Sequence, residues 1–468
     1  MRENVASTNA HARVRTPIGH RLRRLCNAAL VLTIVFTSLA TAPIPAQESR
    51  ILNGHPNQPP ASVRPNSAND VDGIVRLAAW AAEQDSRDDA MRLYRAALRK
   101  DPTHHEAWLA LNDLASEERL RIDEDAVEAA EKKLARRFRR TETSHFVILS
   151  DAEAVWTQRQ SDRLERSWHQ FNRFVRKMEL RPLPLRHKLM CILFNDFKDY
   201  SAFARAHDAV QEAWIAGYYS PMHDRIVFYN VASSPDVIAA EEQLDEMEDE
   251  LQDFRDQLHD AVKEKKNKEA DLLRGVIERY RDHLACERKR LSGFENDVST
   301  ATTIHEATHQ LMFHTNIQSV QIEYPFWISE GLATSFETDD PRGAFGPDVT
   351  YEPRQEGFER AVEEGYLLPL REVVTITHPT SNDGAVVAAQ YNQSYALLTW
   401  LYRHHQDDLR DYLLTMARRE RGRLNAAQHL EVFESAFGSI DRIERAWLRD
   451  VRRSGISIVK ANETADIR

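Results

Sequence analysis

Residues 299–314 read STATTIHEATHQLMFH, and the HExxH inside this run, His305 to His309, organises the rest of the chain. On a helix, residues four apart lie on one face, one turn from each other, so the imidazoles of His305 and His309 face the same way. Two neutral imidazoles at that spacing can hold one Zn²⁺ from one side. Glu306 stands next to the first of them and points toward the open side of the metal, where a carboxylate can take a proton from an attacking water. Ala301, Ile304, Thr308, Leu311 and Met312 give the segment a mostly apolar helical body, with neither Pro nor Gly inside it.

The next stretch outward is PFWISEGLATSFE, residues 325–337. A catalytic zinc takes three protein ligands and keeps one position open, and Glu330, on a second helix, suits the third place. The plainer reading makes Glu330 a carboxylate favoured by the start of a helix. HExxH followed by a W-x-x-E-G-L-A-like helix resembles the gluzincin metallopeptidases, in their aminopeptidase-N and peptidase-MA-like branches. The resemblance implies His305, His309 and Glu330 as ligands of one Zn²⁺ per chain and Glu306 as general base. It also implies a helix-rich α+β fold, a thermolysin-like catalytic domain with a small mixed sheet over the HExxH helix. It covers about 141–235 and 297–450. Glu337 lies seven residues beyond Glu330, on the same helical face, and suits a carboxylate that orients a zinc histidine.

Two further features follow from the resemblance. YNQSYALL, from Tyr391, is similar to the Y-x-x-G-x-A-L-L that begins a helix in aminopeptidase-N relatives, with Ser394 in place of the glycine. It implies Tyr391 as donor to the oxyanion of the transition state; Tyr395 is the other phenol in reach, and a tyrosine here could simply pack. AGYYSPMHDRIVFYN, residues 216–230, reads as a hairpin turning near Pro221 to Asp224. By resemblance, Gly217, Tyr218, Tyr219 and Ser220 form the sheet edge that pairs with an extended substrate; the plain alternative is a core hairpin. GYYS has no glutamate to hold a substrate amine, which leaves aminopeptidase specificity without support.

Strand-like runs SHFVILS (144–150) and LMCILF (189–194) flank a helix at about 155–178 carrying Trp168, Phe171 and Phe174. Residues 236–296 interrupt this unit. Leu244, Met247, Leu251, Phe254 and Leu258, then Leu273, Ile277, Tyr280, Leu284 and Leu291, form two heptad-like seams around the polar KEKKNKEA. An antiparallel helical hairpin projecting from the domain is expected, to dock a protein partner, to shield the site or as a passive insertion; one long helix pairing between chains is the alternative. Residues 354–450 read as helical, with His404 and His405 ending a helix rather than binding metal.

Residues 71–140 open with a segment resembling a tetratricopeptide unit, through Leu77, Ala78, Ala90, Tyr94, Ala97 and Pro102, with Trp108 and Leu111 beginning a second. So few units suggest a docked helical cap, or else a peptide-binding groove. A charged helix over 124–140 leads inward. Residues 1–46 read as an export signal, with Arg15, Arg21, Arg23 and Arg24, an apolar core from Ala28 to Ala42, and small-residue cleavage candidates. An uncleaved anchor is the alternative, and the only membrane contact the sequence offers. Residues 47–70 read as a disordered linker, and 451–468 as a tail. Cys191 and Cys286 make no disulfide framework, and the sequence leaves open whether they pair. A net charge of −11 provides no basic footprint for nucleic acid. Two functions stay open: an exported zinc peptidase acting on a peptide or protein, in the periplasm, at the cell surface or secreted, or a silent zinc-stabilised scaffold presenting hairpin and cap to a partner.

Overall fold

The computed structural model describes residues 59–116, 119–210, 216–419 and 422–453. The expected signal, the first part of the expected linker and most of the tail lie outside them. The expectation of disorder fails for residues 59–70, which hold a 3-10 turn at Ala61–Val63. There Asp70 accepts a hydrogen bond from the Gly73 N–H (2.8 Å), capping the first helix.

That helix, α1 (Val71–Glu83), packs against α2 (Arg87–Lys100), and α3 (His105–Ser116) follows. Ala78, Ala81, Ala90 and Ala97 are buried and let the axes approach, while Leu93 and Tyr94 fill the seam. These helices share a core of their own, which Val63 of the 3-10 turn and Leu183 of the main domain join. They dock on the loop before the third strand. Buried Arg95 donates to the carbonyls of Pro184 (2.6 Å) and Leu185 (3.3 Å), and the Trp108 indole to that of Pro182 (3.0 Å).

The expected helix over 124–140 is instead a short helix, α4 (Glu124–Glu131), followed by a strand, β1 (Arg139–Glu142). Charged residues suit an exposed edge strand as well as an exposed helix, so composition does not separate the two. Arg140 reaches back to hold Glu124 through two 2.7 Å bonds.

Next come β2 (Phe146–Ser150), α5 (Ala154–Lys177), β3 (Leu189–Phe194), α6 (Phe197–His207), β4 (Gly217–Ser220) and β5 (Arg225–Tyr229). The sheet order is β1-β2-β3-β5-β4. The three inner strands run parallel, and β1 and β4 are antiparallel edges. The inner strands are buried on both faces, which is why their sequences are unbroken apolar runs. Phe146, Ile148, Cys191, Leu193, Ile226 and Phe228 belong to one core; Val147, Leu149, Ile192, Phe194, Val227 and Tyr229 belong to the other. Cys191 is sealed in the first core while Cys286 is exposed on a helix, and both are free thiols.

The insert is a hairpin of α7 (Pro235–Lys263) and α8 (Asn267–His314), turning at Lys265 in the left-handed region. The boundary expected at 296 is no break: the second arm runs without interruption into the HExxH segment as one helix of 48 residues. Leu244, Leu251, Leu284 and Leu291 join the second core of the sheet, so the base of the hairpin is part of the domain. Ala261, Ala270 and Leu273 form a separate small cluster at the tip. Toward its end α8 passes beneath the sheet's first face, where Ile304, Ala307 and Leu311 are fully buried. Ile304 and Leu311 each contribute about 1.5–3 kcal/mol, and Ala307 less.

The remaining helices complete the first core: α9 (Phe326–Phe336), α10 (Glu352–Glu363), α11 (Leu370–Val373), α12 (Gly384–His404), α13 (Gln406–Ala417), α14 (Ala426–Phe437) and α15 (Ile440–Arg453). The molecule is thus helix-rich α+β, built on one small mixed sheet. No helix among the described residues is long and apolar enough to cross a membrane.

Candidate metal centre

His305 and His309 sit on α8 with almost no exposure, and α9 brings Glu330 against them. His305 Nε2 and His309 Nε2 are 3.1 Å apart, and Glu330 Oε2 lies 3.3 Å from the first and 3.7 Å from the second. Ligands about 2.0–2.1 Å from a tetrahedral Zn²⁺ are separated by roughly 3.3 Å, so the triangle has the size of a zinc face. Glu330 Oε2 is buried with no hydrogen-bond donor aligned on it, which a protein tolerates where the oxygen has another partner. The three residues form one of two His/Asp/Glu groups among the described residues whose ligand atoms converge within 4.8 Å. The donor set and the orphaned oxygen fit a divalent ion.

Glycine makes this approach possible. A Cβ on Gly331, next to Glu330, would stand 2.8 Å from the Ser394 carbonyl oxygen of α12. Glu337 also reaches the centre, though not as the continuing helix face expected. It lies just past the end of α9 with extended backbone (φ −57°, ψ 145°), and its Oε1 accepts from His305 Nδ1 at 2.8 Å. That contact fixes the tautomer and leaves Nε2 for the triangle. Arg354, buried at the start of α10, grips both Glu337 oxygens at 2.7 Å and bonds Asn392 (3.2 Å). Sequence reasoning missed Arg354, because nothing local distinguishes an arginine in YEPRQEG from a surface one.

Charge follows from these contacts. Burial pushes the Glu330 carboxyl up, but the His309 and His305 imidazoles outweigh it and hold it at about 2. Burial opposes the charge on His305, yet Glu330 and Glu337 carry it up to about 9. For His309 burial prevails and lowers the pKa. Arg354 and His305 keep Glu337 below its usual range despite its burial. Glu306 goes the other way: desolvation, with Glu330 adding to it, lifts the carboxyl to about 8 against the pull of His305 and of the Tyr219 N–H.

That N–H links the sheet to the motif. Tyr219 donates from β4 to Glu306 Oε2 at 2.7 Å, on the side of the strand away from β5. β4 is therefore an edge strand lying along α8, as expected, with all four residues buried. One outward N–H of that edge, however, already serves Glu306 rather than standing open to a peptide. Gly217 permits the close packing there, since a Cβ would meet the Phe228 ring at 2.2 Å.

Tyr391 does not begin a helix; it lies two turns inside α12. It is nonetheless beside the triangle, its ring 6.5 Å from that of His305, edge-on to Phe326 (4.9 Å), with the Arg354 guanidinium 5.6 Å over its face. Tyr395 turns elsewhere, its hydroxyl accepting the Tyr351 N–H at 2.8 Å. His404 and His405 lie tilted against Trp400, and His405 pairs with Asp408 (2.9 Å), away from the centre.

A model of a family described as a protein of unknown function (DUF1570) matches residues 299–421, about a quarter of the chain. That span holds His305, Glu306, His309, Glu330, Glu337, Arg354 and Tyr391, and omits the sheet and most of the hairpin. A tetratricopeptide repeat model matches residues 71–114, so the docked N-terminal helices carry a repeat of that type. No curated protein and no solved structure matches the chain.

Proposed function

We propose that this protein is an exported zinc-dependent peptidase of gluzincin type, with His305, His309 and Glu330 as ligands. The observation that carries the reading is the buried His–His–Glu triangle of zinc dimensions with Glu306 adjoining it. Zn²⁺ held there supplies Lewis-acid polarisation of a scissile carbonyl and lowers the pKa of water. Glu306 takes the proton of the attacking water and passes it to the leaving amine, and Tyr219 N–H keeps its carboxylate in place. Glu337 and Arg354 hold His305 in one orientation. Tyr391 supplies a phenolic donor to the developing oxyanion. β4 aligns an extended peptide chain through the part of its outer edge that the Tyr219 contact to Glu306 leaves over.

Two variants and a mixed peptide library test this. Glu306→Gln retains zinc and loses turnover by several orders of magnitude, whereas Glu330→Ala loses both. Full activity of Glu306→Gln on a peptide that wild type cleaves ends the assignment of the base. Absence of chelator-sensitive cleavage in wild type, with zinc bound, favours a second reading, a zinc-stabilised scaffold. The tetratricopeptide-type repeat supports that alternative, since such repeats generally bind protein partners.

A further inference from the structure

A second group of ligand-type side chains converges at the other end of the motif helix. His187 precedes β3, Asp224 ends the turn between β4 and β5, and His314 is the last residue of α8. One ligand atom from each lies within 4.8 Å of the others, and all three residues are partly exposed. From this convergence we infer a second metal site, His187–Asp224–His314, for a first-row divalent cation such as Zn²⁺, separate from the His305 centre.

Four observations support it. First, two imidazoles and one carboxylate from three separate elements are a donor set suited to Zn²⁺ and similar ions, with positions left for water. Second, His187 Nδ1 lies 3.1 Å from the Lys188 carbonyl, which can only accept. Nδ1 therefore carries the proton and Nε2 is a ligand nitrogen, the support that metal-binding histidines generally have. Third, His314 Nε2 and Asp224 Oδ1 are 2.6 Å apart, a hydrogen-bonded pair that a cation enters by displacing the shared proton and parting the two atoms by about 0.7 Å. The Tyr219 hydroxyl donates to the same carboxylate oxygen at 3.2 Å, which orients it from the far side. Fourth, His314 ends a helix of 48 residues, where the macrodipole favours positive charge. All three residues are partly exposed where His305, His309 and Glu330 are buried, which sets the affinity below that of the buried triangle.

The site would brace the active centre. Tyr219 binds Asp224 through its hydroxyl and Glu306 through its N–H. An ion joining the β4–β5 turn, the lead into β3 and the end of α8 would fix the strand that holds Glu306.

The test is metal counting on the full-length protein, stripped with chelator, reloaded with Zn²⁺ and measured by mass spectrometry and calorimetry. Wild type takes up two Zn²⁺ per chain, one tight and one weaker, against the single ion implied by HExxH alone. Glu330→Ala keeps only the weaker ion, and His314→Ala keeps only the tight one. His187→Ala, in a loop outside the helix, repeats the His314 result if that variant folds poorly. A wild-type count of one, or a count unchanged in both His314→Ala and His187→Ala, overturns the second site. Loss of the tight ion in Glu330→Ala reports separately on the proposed catalytic centre.

Discussion

Glu306 carries an acid group through a fully buried position, so its charge state governs how the centre responds to pH. Its pKa rises from an ordinary 4.5 to about 8, chiefly through burial. A raised folded-state pKa means that the stabilising form is the protonated one. Its contribution is complete below about pH 4.5 and is lost as pH climbs through 8. Gln mimics the protonated acid. In chelator-stripped protein, Glu306→Gln should therefore match wild type in thermal stability near pH 4 and exceed it increasingly toward pH 8. A difference independent of pH would contradict a position in which burial outweighs the pull of His305 and the Tyr219 N–H. Tyr391→Phe probes the opposite wall: it removes only a hydroxyl, so zinc content and melting temperature hold. Turnover falls about a hundredfold or more if the phenol donates to the oxyanion. A loss of less than a few-fold, with chemistry rate-limiting, removes Tyr391 from the catalytic set.

At the scale of elements, the long α8 joins an apparent appendage to the HExxH motif. Its heptad-like pattern made the hairpin legible in the sequence, but not the continuity of its second arm with HExxH, because the polar residues around 292–297 read as a boundary. The burial pattern divides the hairpin in two. Leu244, Leu251, Leu284 and Leu291 pack with the sheet core, and Ala261, Ala270 and Leu273 pack only with the tip. Replacing 256–278 with a short Gly/Ser linker should therefore leave soluble, zinc-loaded protein. Removing 240–292 deletes four buried leucines, each worth about 2–5 kcal/mol, and should yield insoluble or metal-poor protein. Equal solubility and zinc content in the two deletions would show that the base contributes nothing to the core.

At the scale of the molecule, the N-terminal repeat is attached through the inward bonds of Arg95 and Trp108 and, at the surface, through Arg181 and Arg418, which reach Thr103 and Asp101. Arg95 is almost fully buried with carbonyl partners, and desolvation lowers its pKa to about 9. Arg95→Ala leaves the buried Leu185 carbonyl without a donor, at about 1–3 kcal/mol, and the half-buried Pro184 carbonyl to water. Faster proteolysis between the repeat and α4 should follow, with zinc content unchanged. An unaltered cleavage rate would mean that the repeat is held by its other contacts.

Local patterns in the chain determined a good deal by themselves. HExxH spacing placed His305 and His309 on one face because helix periodicity is a local property. Unbroken apolar runs marked the inner strands because parallel strands are buried on both sides. The repeat at 71–114 was legible from its small and aromatic residues. Tertiary structure alone decided the rest. The seating of Glu330 depends on Gly331 meeting α12, a contact across more than sixty residues of chain. The roles of Arg354 and of the Tyr219 N–H, and the convergence of His187, Asp224 and His314, have no local signature. Each depends on which elements the two cores pull together, and packing between distant segments is not encoded in the spacing of any one of them.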